Sequence, residues 1–147
     1  MSKSGAAAAH AIETGLLPAS SVILEDDPMQ YMLIFRETDA QRSRKNDPEG
    51  AQAYWGAWMA YVGAVQGAGI VVSGAGLEPP DTGVTVRVSE GARHVQDGPY
   101  ADSKEQLGGY FVIDVPSLDE AIAWAARSPS SSGGSTEVRQ VLPPPKL

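Results

Sequence analysis

His94 and Asp97 stand three residues apart in the stretch GARHVQDGPY, and Lys104 and Glu105 follow in ADSKEQLGGY. An imidazole and a carboxylate within reach of one substrate are the usual parts of general acid–base catalysis. On this reading Asp97 faces the interior as general base or substrate anchor, because a carboxylate drawn partly out of water becomes a better proton acceptor near neutral pH. His94 assists it. A structural reading stands beside the catalytic one. Asp97-Gly98-Pro99 is also good turn chemistry, since the aspartate can bond nearby amides and proline fixes one dihedral. Positions 94 and 97 differ by an odd number, so on an extended strand their side chains start on opposite faces, and an idle surface histidine is the plainer expectation.

Tyr100, Lys104, Glu105, Arg36 and Arg87 are the candidate substrate contacts. Lys104 and Glu105 are expected at the mouth of a barrel beside Asp97, and the two arginines are expected to bind an anionic group or to pair with Asp97. Adjacent opposite charges are equally the mark of a solvated surface. Tyr54, Trp55, Trp58 and Tyr61 follow helical spacing, which assigns them to the core before any stacking role.

The chain has no cysteine and two histidines. Thiol nucleophiles, disulfides and sulfur-ligated metals are therefore excluded, and no cofactor or metal is expected. A net charge of −7 over 147 residues argues against nucleic-acid binding, and the basic run Arg42 to Lys45 has no interleaved aromatic. No apolar run approaches the roughly eighteen residues that cross a bilayer. The alanine-rich start is interrupted by His10 and Glu13, unlike a signal peptide, so a cytoplasmic protein is expected.

These side chains need elements to position them. Residues 1–28 read as a flexible extension and 143–147 as a Pro-rich tail. Met29 to Glu37 is dense in apolar and aromatic residues and reads as a buried strand. A polar loop follows it. Asp47-Pro48-Glu49 reads as the start of a helix whose apolar face is Ala51, Tyr54, Trp55, Trp58, Met59, Val62 and Val65, ended by Gly67 and Gly69. Ile70 to Leu77 reads as a strand. Val84 to Asp97 reads as a hairpin turning at Glu90-Gly91.

The segment ADSKEQLGG suits one helical turn, and Tyr110 to Val115 a strand. Gly108-Gly109 serves either close backbone approach or relief of a kink. Ser117 to Glu120 is a capping box opening a second helix that ends near Ser128. SPSSSGGS reads as a loop, and Thr136 to Leu142 as a final strand. Strand, helix, strand, hairpin, strand, helix and strand predict an α+β sandwich, ferredoxin-like, with both helices on one sheet face. The other face needs a cover, which predicts a homodimer; a monomer with a lipid-like ligand filling that face is the alternative.

The block DGPYADSKEQLGGYFVIDVPSLDEAIAWAARSP resembles the signature of the DGPF-type, YCII-related family, with Tyr100 where the motif has phenylalanine. YMLIFRE, AGIVVSGAGLEPPDTGVTVRV and TEVRQVL fit the same family, so the resemblance covers residues 29–142. It implies a ferredoxin-like dimeric α+β barrel. For some members it implies a link to alternative sigma factors, and for a few relatives in the wider superfamily chemistry on aromatic rings. Better-known relatives carry a histidine–aspartate pair as candidate active site; here Asp97 lies in the turn motif, and no histidine lies on the first helix. Two functions remain open. One is a small cofactor-independent enzyme performing isomerisation, cyclisation or elimination on a small aromatic-type substrate. The other is a non-catalytic module that binds a small ligand or a protein partner.

Overall fold

A computed structural model describes residues 29–99 and 103–143. The extension read over residues 1–28, Tyr100 and most of the tail lie outside the described residues. Strand β1 (Met29–Thr38) alternates buried and half-buried positions, so Tyr31, Leu33, Phe35 and Glu37 point to one side. Its neighbours are β5 (Glu105–Val115) and β6 (Ser135–Gln140), both antiparallel to it. Strand β2 (Val71–Gly76) pairs with β5 only, which gives the sheet order β2-β5-β1-β6. That order, with two helical crossovers, is the ferredoxin-like α+β arrangement expected from the pattern.

The two long helices, α2 (Gly50–Gly67) and α3 (Leu118–Arg127), cover the same sheet face. Tyr61 and Val65 of α2 and Ala121 and Ala125 of α3 join Tyr31, Leu33, Phe35, Ile113 and Val115 in one core. Leu33, Val65, Ile113 and Val115 are fully buried, each contributing about 1.5–3 kcal/mol of apolar transfer. Phe35 is the hub. The rings of Trp58, Tyr61 and Phe111 meet it edge-on at 5.0, 6.0 and 5.9 Å.

Several local readings are corrected. The polar loop after β1 contains a short helix, α1 (Asp39–Ser43), capped reciprocally by Thr38 and Gln41, and a 3-10 turn at Arg44–Asn46. Helix α2 begins at Gly50, past the Asp-Pro signature, yet Asp47 still works at its start: its carboxylate accepts the Gly50 N–H at 3.1 Å. The inward stripe of α2 is narrower than its spacing suggests. Tyr54, Trp58, Tyr61 and Val65 turn inward, while Trp55 and Met59, about 100° further round the helix, are 50% and 73% exposed. The segment from Glu105 to Gly109 is the beginning of β5 and not a helical turn, because Glu105, Gln106 and Leu107 find strand partners in Thr38, Glu37 and Arg36. Phe35 pairs with Gly109 and Arg36 with Leu107, which leaves Gly108 over as a β-bulge.

Strands β3 (Val84–Ser89) and β4 (Ala92–Asp97) form a separate two-stranded ribbon. Glu90 and Gly91 both have positive φ, 51° and 78°, as a type I′ hairpin turn requires. Ser117 caps α3 by accepting the Glu120 N–H at 3.2 Å. At the other end of α3, the loop read from SPSSSGGS winds into a 3-10 turn with Ser128 and Ser130 buried. Ser128 Oγ donates to the Ala125 carbonyl at 2.8 Å and meets Thr136 Oγ1 at 2.8 Å, so side-chain hydroxyls do the work of water at a helix end. Among the described residues no helix is long and apolar enough to cross a membrane.

Candidate functional site

Glu37 is the last buried position of β1, in phase with Tyr31, Leu33 and Phe35 but carrying a carboxylate. It is 3% exposed. A buried carboxylate is stable only when its oxygens find donors. Tyr54, opening the second turn of α2, donates its hydroxyl to Glu37 Oε2 at 2.6 Å. Oε1 has no hydrogen bond among the described residues. It lies beside Gly108, where a β-carbon would stand only 3.0 Å away. The bulge and the missing side chain together leave that oxygen room.

The electrostatics follow from this placement. Burial pushes the Tyr54 phenol well above its ordinary value, and the hydrogen bond to Glu37 and its negative charge push the same way; the Trp58 side chain and the Arg42 charge pull back. Tyr54 is therefore a fixed donor at any ordinary pH. One helical turn on, the Trp58 Nε1 is buried without a hydrogen-bond partner among the described residues. Its influence on Tyr54 is that of a neighbouring N–H dipole, with no bond formed between the two. Arg42 donates to the main-chain carbonyl of Glu37, which places its cation behind the carboxylate.

Glu37, Tyr54 and Trp58 line an apolar cleft of about 320 Å³ between α2 and the β2–β5 edge of the sheet. Its other walls are Phe35, Trp55, Val62, Phe111, the backbone of Gly74 to Leu77 and the pair Gly108-Gly109. Gly109 permits the close approach of β2: a β-carbon there would lie 2.7 Å from the Ala75 carbonyl oxygen. Both readings of the glycine pair thus apply, one to each residue. A more polar cleft of about 530 Å³ shares Glu37, Tyr54 and Trp58 and continues toward α3. For scale, an apolar cavity of about 150 Å³ holds benzene, and ligand clefts typically start at about 300 Å³. The smaller cleft fits a molecule of one or two rings.

The residues singled out from the sequence lie elsewhere. Asp97 is exposed at the end of β4, in a third cleft with Arg42, Lys45 and Asp81, and among the described residues no hydrogen bond or ion pair ties its side chain. His94 is exposed on the same strand. The β3–β4 register is unbroken, with His94 opposite Arg87 and Asp97 opposite Val84, so the two side chains lie on opposite faces of the ribbon. Arg87 is exposed on β3. Arg36 pairs with Glu137 at 2.7 Å rather than with Asp97, and that partner, held also by Arg139, titrates below the ordinary carboxylate range. Glu105 accepts from the Ser135 hydroxyl and pins β5 to the end of the sheet. Lys104 is exposed, and Tyr100 lies outside the described residues. Among the described residues, no three His, Cys, Asp or Glu side chains converge as metal ligands would.

Glu37 and Tyr54 were the residues sequence reasoning passed over as a pair. The signal was present: a carboxylate falls in phase with the buried face of a strand, where a solvent-facing position would ordinarily hold it. Comparison with known proteins gives a match of the YCII-related domain model to residues 29–144. An uncharacterized protein from Rhizobium meliloti (strain 1021) is 46% identical over 65 residues, covering 43% of this chain and 52% of that protein. The chain thus spans about half the length of that relative.

Proposed function

The chain belongs to the YCII-related domain family, and from that premise we propose that it is a small cofactor-independent enzyme that moves a proton on a ring-shaped substrate held in the Glu37 cleft. One observation carries the reading: Glu37 is buried with Oε2 fixed by Tyr54 and with Oε1, among the described residues, unpartnered beside a glycine. A carboxylate so held is preorganised to accept a proton from an acidic O–H or C–H presented between α2 and β2. The aromatic walls exclude water and orient a flat molecule. Tyr54 stays protonated and spreads the charge on the carboxylate, which returns the proton to a neighbouring atom of the same ring. That is an isomerisation, or an elimination if a leaving group departs. Asp97, in the adjoining cleft, does not hold the reacting proton on this reading.

A homodimer belongs to the same proposal. Met32, Ile34, Tyr110 and Val112 occupy the sheet face opposite the helices, by their register against one another, and a second copy would cover them.

The test is solvent deuterium entering small enolisable ring ketones, followed by NMR. We expect the wild-type protein to exchange at least one of a panel about 100-fold faster than Glu37→Gln, the scale of a single positioned acid–base group. Equal rates for the two proteins, with tight binding kept in both, would replace the enzyme with a non-catalytic ligand-binding module.

A further inference from the structure

We infer that Lys45 makes the Glu37 cleft selective for ligands that carry an anionic group beside the ring, an inference that rests on the cleft reading above and names its substrate class. The Lys45 ammonium lies 5.4 Å from the centroid of Tyr54 and 5.6 Å from that of Trp55. Those two rings meet edge-on at 5.0 Å, so the cation is held against both at the cleft wall. Attraction to two ring faces fixes a side chain that would otherwise sweep through solvent. Among the described residues no carboxylate forms an ion pair with it; the ion pairs there engage Arg36, Arg42 and Arg139.

Its position is polar in a useful sense. The Tyr54 ring carries the cation against its face and the Glu37 carboxylate at its hydroxyl, so the two charges address one ligand from different sides of that ring. A ligand that gives a proton to Glu37 Oε1 and carries a carboxylate or a comparable anion satisfies both. A purely anionic ligand with no donor meets Glu37 as a like charge, and a neutral ring leaves the ammonium unused. The protein's net charge of −7 sharpens the point, because a local cation is what admits an anion to such a surface. Lys45 also lines the adjoining cleft, where Arg42 is paired with Asp39.

The experiment is calorimetric titration of the full chain with 4-hydroxybenzoate and with its neutral methyl ester, probes that share ring and donor and differ in charge. We expect the acid to bind at least 10-fold tighter than the ester. Lys45→Met should erase that preference, and Lys45→Arg should keep it. Equal affinity for the two probes in the wild-type protein, or a preference that survives in Lys45→Met, overturns the role of Lys45 and leaves the cleft standing. If the wild-type protein binds neither probe, the cleft reading falls and this inference falls with it.

Discussion

Tyr54 donates to Glu37 from a helix, across seventeen residues of chain, and the bond joins the start of α2 to the end of β1. It keeps the phenol neutral, and alkaline pH tests that state. Burial raises Tyr54 above its ordinary value and raises Tyr61 to about 12, the Arg127 charge opposing slightly in the second case. Tyr61 also donates to the Trp124 carbonyl at 2.9 Å. A phenol whose folded value exceeds its unfolded one, about 10, adds stability that is complete below pH 10 and is lost as pH rises through the folded value. The urea midpoint should hold from pH 8 to about 10 and then fall steadily toward pH 12. A midpoint flat across that range would show the two phenols to be free to ionise.

The two adjacent glycines should separate when each is changed to alanine. A β-carbon at Gly108 meets only the Glu37 carboxylate at 3.0 Å, the end of a side chain that can shift. Gly108→Ala should cost less than about 1 kcal/mol of stability yet weaken ligand binding, since it occupies the space beside Oε1. At Gly109 the obstacle is the Ala75 carbonyl of the neighbouring strand at 2.7 Å. Gly109→Ala should cost about 1–3 kcal/mol by forcing β2 away from β5. Urea denaturation of both variants decides the matter; equal losses would remove the distinction between bulge and strand contact.

The proposed dimer is read by sedimentation. The wild-type chain should run at twice its monomer mass, and Ile34→Glu, on the helix-free face of β1, should run as a monomer with unchanged far-ultraviolet circular dichroism. A charge placed in a closed apolar interface costs several kcal/mol, enough to dissociate an ordinary dimer. A wild-type monomer at micromolar concentration would contradict the proposal directly.

Much of this fold is written locally in the chain. Ser117 and Glu120 announce α3, Glu90-Gly91 announces the hairpin, and the alternation from Met29 to Glu37 announces β1. What the chain conceals is nonlocal. The polar letters of Lys104, Glu105 and Gln106 look like a surface turn, and only pairing with Thr38 and Glu37 makes Glu105 and Gln106 strand. The apolar letters of α2 are too evenly spread to say which aromatics turn inward. Asp97 and Lys104, polar residues that cluster in sequence, stand exposed. The buried carboxylate lies where Glu37 ends a core strand, and a helix seventeen residues away supplies its donor.

Strand β2 forms one wall of the Glu37 cleft and, among the described residues, is bonded to a neighbouring strand on one side alone. The floor of the cleft is part of the core around Phe35, while this wall is the margin of the sheet. Changes at Gly76, where a β-carbon meets nothing within 4 Å, can therefore narrow the opening without disturbing the packing around Phe35 and Leu33. A β-carbon at Gly74, by contrast, would run into the Phe111 ring that packs on Phe35. In a lineage that exchanges one ring compound for another, this margin is where divergence should gather, with the carboxylate and its tyrosine held in place behind it.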